Sequence, residues 1–131
     1  MKKIKNMSFR KKKIACPIYL MRLIFIDTDD LSKLKKYEDT SDLIGRDIYA
    51  HTFESTISEK NYDVECVIIV FNTKSTYGKI TLGTIAHEAF HAAGFILHKL
   101  GITADHVNDE AKAYLIDFIA TEIHKFLNIK V

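Results

Sequence analysis

The spacing of hydrophobic residues divides the chain into a strand-rich first half and a helical second half. Short apolar runs bounded by polar clusters predict three strands, at 18–27, 46–56 and 64–72. After the first of these runs, the segment "DDLSKLKKYED" predicts a short helix that Asp29 or Asp30 can cap. The first half is therefore expected to supply a small sheet.

From residue 81 the apolar positions recur every three to four residues, as they do on an α-helix. One helix is predicted from about Thr81 to Leu100, with Gly101 as its stop. A second is predicted from about Asp109 to Leu127. Its apolar face consists of Ala111, Leu115, Ile119, Ile123, Phe126 and Leu127. Strands followed by two long helices indicate an α+β fold, with a small sheet and the helices on one side of it.

The basic residues are concentrated at the start of the chain. Of the 19 lysines and arginines, seven lie in residues 1–13, which leaves 12 against 17 acidic residues in the remainder. We expect residues 1–13 to form a basic, disordered arm and 14–131 to form a single domain. A basic arm can touch nucleic acid or anionic lipid, but the domain behind it carries no groove-reading motif. The sequence therefore predicts no specific nucleic-acid partner.

Two further features bear on where the protein acts. The apolar run "IACPIYLM" after the arm is interrupted by Arg22 and is too short to span a bilayer, so no membrane span is expected. Cys16 and Cys66 are far apart and neither belongs to a CxxC pair, so both are expected to be core residues. These features predict a cytoplasmic protein.

The segment "TIAHEAFHAAG" (84–94) carries the candidate chemistry. His87 and His91 are one helical turn apart, so both imidazoles can bind one zinc ion. Glu88 lies about 100° further round, where it can act as a general base toward a water on that ion. The flanking residues are mostly alanine, isoleucine and phenylalanine, so we expect all three groups to be buried and to need a bound ion.

A catalytic zinc site needs a third protein ligand. His98 nearly completes the metzincin pattern HExxHxxGxxH, but it comes one residue late and lies about 10 Å beyond His91 on an unbroken helix. Eighteen residues separate His91 from Glu110, which is the HExxH-x18-E spacing of gluzincins. Glu110 is the predicted ligand, and Asp109 and His106 are the alternatives.

With these motifs, the chain resembles the small zincin-like metallopeptidases that phages and prophages encode. The resemblance covers residues 81–124, from "TIAHEAFHAAGFILHKLGI" to "NDEAKAYLIDFIATEI". It implies a minimal zincin with a sheet, an active-site helix and a glutamate-bearing helix. It also implies that part of 46–72 lies beside an extended peptide substrate. Larger gluzincins use a histidine or tyrosine to stabilise the oxyanion, and Tyr114 is the candidate here, while Asp117 is a candidate for orienting a zinc-bound histidine.

The resulting hypothesis is a zinc-dependent metallopeptidase of a bacterial cell or a phage-infected host. One Zn²⁺ would be bound by His87, His91 and Glu110. Glu88, assisted by Tyr114, would carry out the hydrolysis of a peptide or protein substrate. The alternative is a catalytically silent zincin-like protein that binds a host or phage partner.

Overall fold

The computed structural model describes residues 9–16, 20–35, 37, 50–74, 79–103 and 109–128. Four strands, a short 3₁₀ helix and two α-helices follow one another in the order expected of an α+β chain. Their bounds are β1 Phe9–Ala15, β2 Arg22–Thr28, the 3₁₀ helix Leu31–Leu34, β3 Ala50–Glu59, β4 Tyr62–Phe71, α1 Leu82–Lys99 and α2 Asp109–Leu127.

The four strands form one mixed sheet in the order β1-β2-β4-β3. The pairs β1–β2 and β3–β4 are antiparallel, and β2–β4 is parallel. β3 and β4 are joined by a tight turn at Lys60 and Asn61, and Lys60 adopts a left-handed φ of 53° there. Within the described residues β1 and β3 are therefore the edge strands.

Both faces of the two central strands are covered, which explains why their sequences are almost uninterrupted apolar runs. One face, with Phe25 and Ile69, packs against α1 and α2. The opposite face, with Ile26 and Ile68, packs around Leu34 of the 3₁₀ helix. The predicted α+β architecture, a small sheet followed by two helices, is confirmed.

Residues 9–13 do not form part of a disordered arm, so that prediction is wrong for this segment: they belong to β1. The strand is held by antiparallel pairing with β2 along its whole length, and its basic side chains find partners on neighbouring elements. Arg10 lies 2.8 Å from the Asp27 carboxylate and donates a hydrogen bond to the carbonyl of Phe126, while Lys13 lies 2.6 Å from Glu59. Lysines on an edge strand also discourage pairing with another chain. Residues 1–8 lie outside the described residues.

The first predicted strand, 18–27, is displaced. β1 and β2 are antiparallel, so the chain reverses direction between them. The Cys16 amide donates a hydrogen bond of 3.0 Å to the Met21 carbonyl there. β2 begins only at Arg22, and residues 17–19 lie outside the described part. The other predicted strands, 46–56 and 64–72, correspond to β3 and β4, although 46–49 are not described.

The helices agree closely with their sequence predictions. Thr81 caps α1 by accepting a hydrogen bond from the Thr84 amide, and Gly101 follows the helix with a φ of +75°. α2 spans Asp109–Leu127, and Leu115 lies on its buried face. Among the described residues, no helix is both long enough and apolar enough to cross a bilayer.

The two cysteines are buried and unpaired, as predicted. Burial raises the pKa of each thiol, Cys16 and Cys66, to about 11. Both thiols therefore remain protonated near neutral pH, and a protonated thiol is a poor nucleophile.

Candidate metal centre

The HExxH segment lies in the middle of α1, and the packing of this helix determines which way its side chains point. Ile85, Ala89, Ala92 and Ile96 recur every three or four residues and are buried against the sheet and α2. The histidines lie on the opposite side, and the His87 side chain is 65% exposed. The expectation that both imidazoles are buried is therefore wrong, because the apolar flanks form the inner face of the helix and the histidines its outer face.

The two imidazoles converge although they are exposed. The Nε2 atoms of His87 and His91 are 3.2 Å apart, and their rings meet edge to face. Two nitrogens bound to one tetrahedral zinc at about 2.0–2.1 Å would be roughly 3.3 Å apart. The same separation also suits a hydrogen bond between two neutral imidazoles of opposite tautomer. The histidine pair thus has the spacing that a shared zinc ion requires.

Glu88 is the buried member of the motif, at 6% exposure. Its Oε1 accepts a hydrogen bond of 2.5 Å from the Thr52 hydroxyl of β3. Its Oε2 lies 3.9 Å from the Nε2 of His87. One carboxylate oxygen is therefore held by the sheet, and the other lies beside the histidine pair.

A small cavity opens at this point. It has a volume of about 290 Å³ and lies between β3 and α1. It is lined by Ala50, His51, Thr52, His87, Glu88, His91 and Phe95. The edge strand β3, the general-base candidate and both zinc-ligand candidates therefore surround one cavity, which has room for water and a small substrate group.

The third ligand is the part of the centre that the structure does not assemble. Within the described ranges, no three or more histidine, cysteine, aspartate or glutamate side chains are grouped so as to hold a metal ion. Glu110 is exposed in the first turn of α2. Its assignment as a ligand therefore stays a prediction.

The start of α2 nevertheless lies close to the exposed side of α1 that carries His87 and His91. The Lys112 Nζ is 3.7 Å from the centre of the Phe90 ring, and Phe90 precedes His91 on α1. Thr52 approaches α1 from the Glu88 side, so β3 and the start of α2 flank the histidine pair on opposite sides. On a helix Asp109 is about 60° from Lys112, whereas Glu110 is about 160° away, so Asp109 shares the side of α2 that faces α1.

Tyr114 and Asp117 follow Glu110 on the same face of α2, four and seven residues along. Both are exposed, Tyr114 to 51%. In the described part of the chain, no hydrogen bond or ion pair joins either residue to His87, Glu88 or His91. Their proposed roles at the site stay predictions.

The remaining histidines are spread over the molecule. His51 lines the same cavity as His87 and His91, although its ring stacks on Phe53, which lies on the face of β3 opposite Thr52. His98 is exposed near the end of α1 and lines a separate cavity with Lys112. His124 lies on α2, and its Nε2 is buried without a hydrogen-bond partner among the described residues. His106, an alternative third ligand, lies outside the described residues.

Thr52 is the site residue that sequence reasoning missed. The sequence predicted a strand over 46–56 but contained no indication that its threonine would contact the helix 36 residues later. Only the pairing of β3 with β4 and the packing of α1 on the sheet bring Thr52 to Glu88.

No protein-family model, curated protein or solved structure matches the chain.

Proposed function

We propose that this protein is a small zinc-dependent metallopeptidase. The single observation that carries the proposal is the joint geometry of the HExxH segment: two imidazole nitrogens 3.2 Å apart and, beside them, a buried carboxylate with one oxygen toward His87. Burying a carboxylate is costly, so a buried Glu88 beside two exposed histidines is better explained by a function than by the stability of the helix.

His87 and His91 would hold the zinc ion through Nε2, and the HExxH-x18-E spacing supports Glu110 as the third ligand. When bound, zinc supplies a water with lowered pKa and polarises the scissile carbonyl. Glu88 takes the proton of the attacking water at Oε2 and returns a proton to the leaving amine. Burial of Glu88 in the cavity wall keeps this oxygen within reach of the reacting groups.

The substrate class follows from the position of β3. No described strand pairs with the outer edge of β3, and its residues Ala50, His51 and Thr52 line the cavity. An extended peptide can pair with such an edge through main-chain hydrogen bonds, which would bring a peptide bond to the histidines. A cytoplasmic location is part of the proposal and is supported by the two unpaired cysteines. The bacterial cell or phage-infected host rests on the sequence resemblance alone.

The small size of the cavity supports a second candidate. At about 290 Å³ it is at the lower limit of ligand pockets, as expected for a zincin-like protein that binds a partner without turnover. The two candidates differ in one assay, hydrolysis of a peptide library by zinc-loaded protein. Cleavage that 1,10-phenanthroline stops and added zinc restores supports the peptidase. Stoichiometric zinc without cleavage of any peptide supports the binding protein.

The third ligand can be tested by comparing neighbouring carboxylates. We expect Glu110→Ala to weaken zinc affinity by more than the roughly 10–100-fold that loss of a supporting partner costs, because it removes a direct ligand. Asp109 lies nearer the side of α2 that faces α1, but it does not have the HExxH-x18-E spacing, so Asp109→Ala should stay close to the wild type. Both residues are exposed in the first turn of α2, so each variant is a matched control for the other. Loss of affinity in Asp109→Ala alone would transfer the ligand role to Asp109.

A further inference from the structure

The contact between Thr52 and Glu88 joins two parts of the fold that the sequence keeps 36 residues apart. Both residues are almost fully buried, at 8% and 6% exposure. Glu88 is the one charged residue of α1 that is buried, and the Thr52 hydroxyl is the donor to its Oε1. A buried carboxylate depends strongly on such a donor, because no bulk water replaces it.

Threonine is suited to hold this carboxylate in a fixed place. Its side chain is short and β-branched, so the position of Oγ1 follows closely from the backbone of β3. That backbone is fixed in turn by antiparallel pairing with β4, where Thr52 is opposite Ile69, a fully buried residue. A glutamate has three rotatable side-chain bonds, so an anchored Oε1 greatly restricts where Oε2 can lie.

The geometry points to Thr52 as a positioning residue for Glu88. By holding Oε1, the hydroxyl leaves Oε2 as the oxygen beside the histidine pair, 3.9 Å from the Nε2 of His87. In this role the Thr52 hydroxyl touches neither the metal nor the substrate, and it acts only through the orientation of the base. The catalytic part of this inference rests on the proposed peptidase function.

Two substitutions distinguish the effect of the Thr52 hydroxyl from the effect of the side-chain shape. Thr52→Val keeps the volume and removes the donor, whereas Thr52→Ser keeps the donor. Each zinc-loaded variant is assayed with the best substrate from the peptide library. We expect Thr52→Val to keep its zinc and a KM within about 3-fold of the wild type, while kcat falls about 10–100-fold. Thr52→Ser should retain kcat within about 3-fold.

Three results would overturn this role. An unchanged kcat in Thr52→Val would mean that the hydroxyl is not needed. An equal loss in Thr52→Ser would mean that packing matters and the donor does not. Loss of zinc from Thr52→Val would mean that Thr52 supports the metal rather than the base.

A second measurement needs neither zinc nor substrate. The Tm of the metal-free chain is compared for the wild type, Thr52→Val, Glu88→Ala and the double variant. We expect Thr52→Val to lower the Tm by about 5 °C when Glu88 is present and by much less when Glu88 is alanine. Equal shifts in both backgrounds would show that the two side chains are not coupled.

The two measurements distinguish failure of this inference from failure of the proposed function. Suppose that the Tm shifts are coupled but the protein binds no zinc and cleaves no peptide. This result would exclude both the peptidase function and the catalytic role of Thr52, and the contact would be a structural hydrogen bond only. Zinc-dependent cleavage with neither coupling nor a change in kcat would remove the role of Thr52 alone.

Discussion

Replacing Glu88 with glutamine is expected to lower kcat by about 10³-fold while the protein keeps its zinc. General-base catalysis contributes about 10²–10⁴-fold, and an amide cannot accept the proton that the carboxylate takes. The fold should survive, because glutamine has nearly the same shape and its carbonyl oxygen can still accept the hydrogen bond from Thr52. Steady-state hydrolysis and elemental analysis of the same preparation check both halves of the prediction.

The control for this variant is Glu65→Gln. Glu65 is an exposed glutamate on β4 whose carboxylate lies 3.4 Å from Lys99, and it plays no part in the proposed mechanism. Its substitution should leave kcat unchanged. A Glu88→Gln protein that keeps its zinc and cleaves as fast as the Glu65→Gln control would exclude Glu88 as the base.

The largest expected effect on stability follows from removing a ring in the middle of the core. Phe25 lies on β2, is fully buried and packs against the Phe126 ring with the centroids 5.8 Å apart. Phe25→Ala should lower the free energy of unfolding by about 3–5 kcal/mol, because it leaves a cavity between the sheet and α2. Since domains are typically stable by about 5–15 kcal/mol, this is a large fraction of the total. Urea unfolding followed by circular dichroism measures the change.

Phe90→Ala is the matched control, because it removes the same ring from the surface. Phe90 is 51% exposed on α1, and its ring contacts Lys112 through a cation–π interaction of the kind that contributes about 0.5–1 kcal/mol at exposed sites. The variant should therefore lose no more than about 1 kcal/mol. Similar losses in the two variants would contradict the packing of Phe25 between the sheet and α2.

The parts of the fold that sequence alone predicted are those determined by local chemistry. The bounds of α2 follow from its apolar periodicity, and the end of α1 follows from Gly101, whose φ of +75° few other residues tolerate. The spacing of His87 and His91 likewise requires only one helical turn, so their proximity could be predicted without knowing what surrounds the helix.

The features that sequence did not predict depend on contacts between distant segments. The strand at residues 9–13 pairs with β2, and Arg10 and Lys13 have acidic partners on β2 and β3. A run of basic residues in the sequence does not indicate those partners. The exposure of the histidines depends on which side of α1 packs against the sheet. Because apolar residues surround the histidines in the sequence, the sequence alone does not show which side that is. Thr52 became a site residue only through the pairing of β3.

Elemental analysis of purified protein shows whether His87 and His91 bind one zinc ion. The wild type, His87→Ala, His91→Ala and His98→Ala are dialysed against zinc and measured together. His98 is the matched control, because it is an exposed histidine of the same helix that lies about 10 Å beyond His91. We expect about one zinc per chain in the wild type and in His98→Ala, and a loss of zinc in the other two variants. A wild type that binds no zinc, or one that loses none on replacement of His87 or His91, would contradict this expectation.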